Sequence, residues 1–341
     1  MNRRGRAVLL AAASVFFAAL PVEFGSWLYR AWRLPKIENQ WGALNTPDPR
    51  LGNRPMPDGR VRDVYTVNGT PAYTAEYTTT PEGWRNTCAG PGPFGEFLAF
   101  FGCSYTFGIG VDDCDTIPAL VGKAMPGRRP YNFAYQGWGP QHALELADRE
   151  IKDHIREKTG AAVYLFIYGH VYRAAGGLQC AGGWGRDYPC YELEAGEPRY
   201  RGSFTEAHPW RALLYRGLLA TNTVAVFKPA WPLPSRSAAG VELTAALLAK
   251  TRDRVLEQFP GSRFVVVMYP VNYTLAYEEQ CRRAFTEKGL DTLAFPEPLL
   301  ETVPPYRRFA EGDFGHPSAE SNRVFAAWLA RELSPMPEAA R

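Results

Sequence analysis

The apolar and polar positions change rhythm along this chain. Behind Arg3, Arg4 and Arg6 runs an apolar stretch from Ala7 to Leu20, interrupted by Pro21 and Glu23 and resumed as far as Tyr29. With Glu23 near an interface, this length of roughly 23 residues is enough to cross a bilayer. Trp27, Tyr29 and Trp32 then read as an interfacial belt, and the arginines ahead of the run predict an inside N-terminus. The expectation is an uncleaved signal anchor over residues 1–33. A cleaved signal peptide is a second reading, but every small-x-small site near Leu20 sets Phe16 or Phe17 at the upstream position. A buried first helix of a soluble protein is the third.

Residues 34–93 are rich in Pro, Gly, Thr and Asn, with short alternating pieces at Val61–Val67 and Ala72–Tyr77. They predict an irregular β-rich lead-in lying on the main domain. From Phe94 the rhythm becomes strand, helix, strand. Strands are expected at Phe97–Cys103, Tyr131–Tyr135, Val163–Tyr168, Phe264–Tyr269 and Asp291–Phe295. Helices are expected at Thr116–Met125, Gln141–Glu157, Val241–Phe259 and Ser318–Leu333. This alternation predicts an α/β domain over 94–335 with a mostly parallel sheet covered on both faces. Residues at about 174–238 interrupt it with Gly, Trp, Tyr, Pro and Cys, as an insertion able to overhang a site at the carboxyl ends of the strands.

Composition narrows the chemistry. A net charge of +3 and the lack of any long basic block argue against nucleic acid as a partner. With no C-x-x-C and no His/Cys cluster at zinc spacing, neither a metal nor another cofactor is expected. Cys88, Cys103, Cys114, Cys180, Cys190 and Cys281 would face an oxidising compartment beyond the anchor, and Cys180 with Cys190 is the pair most readily bridged.

The candidate chemistry lies at two distant points. Phe100-Phe101-Gly102-Cys103-Ser104-Tyr105 breaks a strand at glycine and presents a serine, and Asp313-Phe314-Gly315-His316-Pro317 sets a carboxylate three residues before a histidine. Ser104 would be the nucleophile, His316 its base and Asp313 the group that orients the imidazole. The N–H of Ser104 and that of a glycine in a neighbouring loop would hold the oxyanion. Gly108-Ile109-Gly110 lacks the rest of a phosphate-loop pattern. Trp138, Trp184, Tyr188, Tyr191 and Trp210 are candidates for a sugar-stacking platform, though core packing is the commoner use of such residues.

These motifs, in this order, resemble those of the SGNH (GDSL-like) hydrolase superfamily, and specifically its membrane-anchored bacterial branch. The first block reads Gly102-Cys103-Ser104-Tyr105-Thr106-Phe107-Gly108-Ile109-Gly110-Val111, with Cys103 in place of the eponymous Asp. The second reads Asn132-Phe133-Ala134-Tyr135-Gln136-Gly137-Trp138-Gly139, and Thr80-Pro81-Glu82-Gly83-Trp84-Arg85 resembles the lead-in of anchored members. The resemblance implies a three-layer α/β/α flavodoxin-like fold and an ester hydrolase with Gly137 as a second oxyanion donor. The third block departs from Gly-x-Asn-Asp: Tyr168-Gly169-His170-Val171-Tyr172-Arg173 offers His170 where Asn would donate and Arg173 for an anionic or sugar substrate.

The expected function is a serine esterase acting on an ester, best an O-acetyl group, of an envelope or exported carbohydrate. It would be tethered in a bacterial inner membrane with its catalytic domain in the periplasm. Acyl transfer to a glycan by the same triad, and a non-catalytic glycan-binding or assembly role, are the alternatives.

Overall fold

The computed structural model describes residues 3–228, 238–270, 275–311 and 315–334. The first element is a helix, α1 (Arg3–Arg33), unbroken across Pro21. Among the described residues it is the one helix long and apolar enough to cross a membrane. Phe16, Phe17, Leu20, Val22, Phe24 and Trp27 on it are all exposed.

The lead-in comprises β1 (Ile37–Glu38), β2 (Asn45–Asp48), β3 (Gly52–Pro55), β4 (Arg60–Val67) and β5 (Thr70–Thr78). Strands β4 and β5 form a hairpin turning at Asn68-Gly69, both at positive φ, as a two-residue turn of this twist requires. Leu44, Leu51, Ala75, Tyr77 and Trp84 enter the main core, so this segment is packed onto the sheet domain.

The alternating region opens with β6 (Glu96–Phe101), α2 (Ser104–Phe107), α3 (Ile117–Ala124), β7 (Arg128–Asn132), α4 (Pro140–Arg149), α5 (Ile151–His154), β8 (Gly160–Phe166) and α6 (Gly169–Ala174). Two elements differ from expectation. Strand β7 begins at Arg128 because it is a sheet edge, where Arg128 and Arg129 pair with Glu96 and Glu157. Phe133, Ala134 and Tyr135 are buried in the loop beyond it. The long helix expected at 141–157 breaks at Glu150, whose backbone leaves helical geometry and whose carboxylate pairs with Arg54 at 2.9 Å.

The insertion follows as a hairpin, β9 (Pro189–Glu194) and β10 (Glu197–Ser203), and three helices, α7 (Phe204–Ala207), α8 (Pro209–Leu219) and α9 (Asn222–Phe227). Leu178, Ala181, Cys190, Phe204, Ala212, Tyr215 and Val224 give it a small core of its own. The chain closes with α10 (Ala238–Gln258), β11 (Arg263–Met268), α11 (Leu275–Glu287), β12 (Asp291–Ala294) and α12 (Ala319–Leu333). Helix α11 has no counterpart in the sequence reading, since its buried Cys281 and Phe285 are spaced among charged residues.

Five strands form one parallel sheet in the order β12-β11-β8-β6-β7. Counted along the chain this is 2-1-3-4-5 read from the β7 edge, the flavodoxin-like doubly wound order. The α/β class expected from the sequence is therefore the one present. Strands β6, β8 and β11 are buried on both faces. Phe97, Ala99, Phe101, Tyr164, Phe166, Val266 and Met268 pack under α4, α10 and α11. Leu98, Phe100, Val163, Leu165, Val265 and Val267 pack under α3 and α12. In this order the chain reverses direction across the sheet after β7, and the crevice lies beyond the carboxyl ends of β6 and β8.

The disulfide is not the expected one. Cys88 bonds Cys114, with Cα atoms 5.3 Å apart, whereas Cys180 and Cys190 are free and buried. Those two sulfurs belong to different packing units, Cys180 to the main core and Cys190 to the small core of the insertion. Burial pushes the Cys180 thiol up to about 12 and the Cys190 thiol up to about 11. The Cys88–Cys114 bridge closes a sequence separation of 26, worth about 3 kcal/mol through the entropy of the unfolded chain. Replacing both partners by serine lowers the unfolding free energy by about that amount in urea titrations. Thiol titration without reductant finds Cys180 and Cys190 unreactive until the protein is unfolded.

Candidate active site

Ser104 stands at the first position of α2, immediately beyond the carboxyl end of β6. Gly102 makes that turn possible: its φ is +152°, and a Cβ there would run into the Thr106 hydroxyl. His316 arrives from the other end of the chain and its Nε2 lies 2.8 Å from Ser104 Oγ. With the ring proton on Nδ1, the serine hydroxyl donates to Nε2, which is the ground-state geometry for proton removal. Ser104 is 7% exposed, so the hydroxyl is shielded yet reachable.

The histidine loop is held from several sides. Its own carbonyl accepts from Ala310 N at 2.9 Å, Ser318 N donates to Arg308 O at 3.0 Å, and Phe309 and Pro317 form an antiparallel bridge. Ser318 caps α12 by accepting from Ser321 N, which fixes where the loop ends. Tyr105 donates its hydroxyl to the Gly315 carbonyl, and its ring centroid is 5.4 Å from that of His316. On the other side Trp41 meets the imidazole edge-on at 5.2 Å. Trp41 Nε1 donates to Tyr73 Oη at 3.0 Å, and Tyr73 and Tyr77 both donate to the buried Asp63 carboxylate. The lead-in therefore supplies one wall of the site. Asp313, expected to orient His316, lies outside the described residues.

The loop beyond β7 brings Gly137 to the same edge of the sheet, one strand from Ser104. Its φ is +79°, and a Cβ would meet Tyr188 Oη at 2.7 Å and Trp184 Cδ1 at 2.9 Å. Only glycine fits beneath that roof. Trp184 is 54% exposed, so its ring is open to a ligand next to the Gly137 backbone.

Three expected site residues have other roles. His170 is fully buried between Tyr164 and Phe166; its Nδ1 meets Tyr164 Oη at 2.9 Å and accepts from Ile167 N at 3.4 Å. A ring so enclosed does not present a donor to a ligand. Trp138 is 1% exposed, stacks on His142 at 4.9 Å and donates to Asn53, so it is not a stacking platform. Arg173 donates to the Trp138 carbonyl at 2.6 Å, tying α6 to the loop after β7. It acts as a strut under the site. Tyr188 and Tyr191 are buried as well. Trp41 went unseen in the sequence because it belongs to no motif and sits 63 residues before Ser104.

No protein-family model and no curated protein matches the chain. Among solved structures it is similar to an active-site mutant of a family two carbohydrate esterase from Clostridium thermocellum, at 11% identity over 72% of this chain and 64% of that one, TM-score 0.42. It is similar also to an acetyl xylan esterase from Butyrivibrio proteoclasticus, at 9% identity over 72% and 65% of the two chains, TM-score 0.41. A psychrotrophic esterase from Pseudoalteromonas sp. aligns at 10% identity over 70% and 97%, TM-score 0.38. The chain spans a little under two thirds of the length of the first two.

Two buried histidines make this region sensitive to acid. Burial holds His142 down to about 3 and His170 well below the usual imidazole range. His142 Nδ1 accepts from Gly139 N at 3.1 Å while Nε2 donates to the Leu51 carbonyl, so the neutral ring is built into the turn that follows Gly137. Below about pH 6.5 the unfolded chain binds protons at these positions and the folded chain does not. Stability therefore falls as pH falls below that value, each histidine contributing in the same direction. Urea midpoints at pH 7 and pH 5 check the sign: the lower pH gives the lower midpoint.

Proposed function

We propose that this chain is a serine ester hydrolase of the SGNH type, acting on an O-acetyl ester of an envelope or exported carbohydrate. The observation that carries the reading is the 2.8 Å contact between Ser104 Oγ and His316 Nε2 at the carboxyl edge of a doubly wound parallel sheet. Ser104 attacks the acetyl carbonyl and its proton passes to His316 Nε2. The oxyanion is held by the N–H of Ser104, which at the first position of α2 has no partner in the helix ladder, and by that of Gly137. As the tetrahedral intermediate collapses, the imidazolium returns the proton to the departing sugar oxygen. Water, deprotonated by the same ring, then releases acetate from Ser104. Asp313 orients Nδ1 and stabilises the imidazolium.

The carbohydrate reading draws on Trp184, an exposed ring beside Gly137 that suits stacking on a sugar face. The third block departs from the family at its Asn, and His170 is buried, so the oxyanion is left with two backbone donors. Loss of one donor typically costs about 10²–10³ in rate, which predicts a slow enzyme. The location that goes with this reading is a bacterial inner membrane, with α1 as the single span and the sheet domain on the periplasmic side.

Acetate release from p-nitrophenyl acetate and from an acetylated polysaccharide, by the full chain in detergent, tests the chemistry. Ser104→Ala and His316→Ala are each expected to lower kcat by roughly 10⁴-fold or more, and Asp313→Asn by less. Release that is unchanged in Ser104→Ala overturns the hydrolase reading. A wild type that acetylates a supplied glycan instead of releasing acetate moves the assignment to acyl transfer. Trp184→Ala is expected to raise KM for the polysaccharide roughly tenfold and to leave p-nitrophenyl acetate turnover unchanged.

A further inference from the structure

Helix α8 is apolar on two opposite faces. Ala212 and Tyr215 point into the small core of the insertion, while Trp210, Leu213 and Leu214 face outward, 82%, 58% and 53% exposed. Positions 210, 213, 214 and 217 follow helical i, i+3, i+4, i+7 spacing, so the outward residues form one stripe. Phe227 at the end of α9 is also largely exposed. An apolar stripe of this kind on a soluble surface marks an interaction site.

The neighbour of this patch identifies its partner. Helix α9 sits on α1, and the contact is polar. Glu23 of α1 accepts from Asn222 N, Asn222 Nδ2, Thr223 N and Thr223 Oγ1 at 2.5–2.9 Å. Arg30 donates to Asn222 Oδ1 at 3.2 Å, and Ser26 between them is buried. Glu23, Ser26 and Arg30 lie at i, i+3 and i+7, one polar stripe on the apolar stretch of the helix, and α9 bonds to its Glu23 and Arg30. The next two N–H groups of α9 are satisfied as well, Val224 by Thr221 Oγ1 and Ala225 by the Thr221 carbonyl. A helix start in which the chain itself satisfies every N–H is what an apolar medium demands and water does not.

Depth follows from helix geometry. From Ala7 to Glu23 the axis rises about 24 Å, against a hydrocarbon thickness of about 30 Å. Glu23 then lies about 6 Å inside the far boundary of the hydrocarbon, and α9, fixed to it, lies at the same level. From Ala207 to Lys228 the chain has no Asp or Glu, while Arg30, Arg33, Arg216 and Lys228 are exposed around the patch, complementary to anionic headgroups.

We propose that α8 and α9 form a membrane foot: Trp210, Leu213, Leu214 and Phe227 enter the outer boundary of the bilayer that α1 crosses, with α9 seated on the Glu23–Ser26–Arg30 stripe. This rests on α1 being a membrane span. The sheet domain is then held against the bilayer and does not swing on a flexible tether. Because Gly182 packs on Tyr215 and Leu219 of α8, the foot is continuous with the segment whose Trp184 covers Gly137. The site is thereby aimed at esters presented close to the membrane surface.

The test uses the full chain in vesicles of mixed zwitterionic and anionic phospholipid. Spin labels are placed one at a time on cysteines introduced at Leu214, Phe227, Phe17 in α1 and the exposed Lys152 on the sheet domain, with unchanged thermal midpoints as the check on folding. Collision with a water-soluble nickel chelate is compared with collision with oxygen. The expected result is chelate accessibility roughly tenfold lower at 214, 227 and 17 than at 152. Lipid-like behaviour at 17 with water-like behaviour at 214 and 227 overturns the foot and leaves the anchor standing. Water-like behaviour at 17 overturns the anchor, and the foot with it.

Discussion

Ser104 and His316 are separated by 212 residues and meet at 2.8 Å, and much of the structure serves to keep that contact in place. The serine comes from a strand buried on both faces, so its backbone has almost no freedom: β6 lies between β7 and β8, and Phe97 to Phe101 pack alternately into two cores. The histidine comes from a loop, and a loop needs other restraints. They are the backbone bonds at Ala310 and Ser318, the cap of α12, and the rings of Tyr105 and Trp41. A rigid serine facing a braced histidine is the preorganisation that the proposed general-base chemistry requires.

The lead-in is part of that bracing. Arg85, fully buried, ion-pairs with Asp113 at 2.6 Å and lies over the rings of Tyr77 and Phe107, so the segment before β6 is locked to the loop after Ser104. Asp113 also accepts from Thr78 N, and the Cys88–Cys114 bridge joins the same two stretches covalently. A buried ion pair adds little net stability against an apolar alternative, but it fixes register strongly because either charge left alone is costly. Here it sets where the Gly108–Asp112 turn lies relative to β5, and through Tyr77 and Asp63 where Trp41 stands beside His316.

The insertion carries the opposite kind of constraint. Its small core holds β9, α7, α8 and α9 together, yet its surfaces look in two directions. One side covers the Gly137 loop with Trp184 and Tyr188; the other exposes Trp210, Leu213 and Leu214. This arrangement explains why the stretch is rich in aromatic residues without forming the platform that its composition suggests. Tyr188 and Tyr191 are consumed by packing, the latter donating its hydroxyl to Glu145, while Trp184 stays open beside Gly137.

Elements whose causes are local are legible in the chain alone. Residues buried on both faces of β6, β8 and β11 are continuous apolar runs, legible as central parallel strands, and the order of elements left few topologies open. The glycine break before Ser104 and the late histidine were readable for the same reason, since turn chemistry and chain order are properties of short segments; Gly137 stood out only through the resemblance of its block to a family pattern. The tertiary structure alone decided the rest, because it depends on which distant segments share a core. Cys180 and Cys190 are close in sequence but packed in separate cores, while Cys88 and Cys114 are brought together by the lead-in folding over the sheet. His170, Trp138 and Arg173 sit in motif positions that suggest a ligand; burial turns the first two into supports, and the Trp138 carbonyl takes up the third. Trp41 belongs to no motif, and the site acquires it only when the lead-in docks. The polar stripe on α1 finds its partner only in the folded chain, where α9 donates to Glu23, since a carboxylate in an apolar helix is explained by its partner and not by its neighbours in sequence.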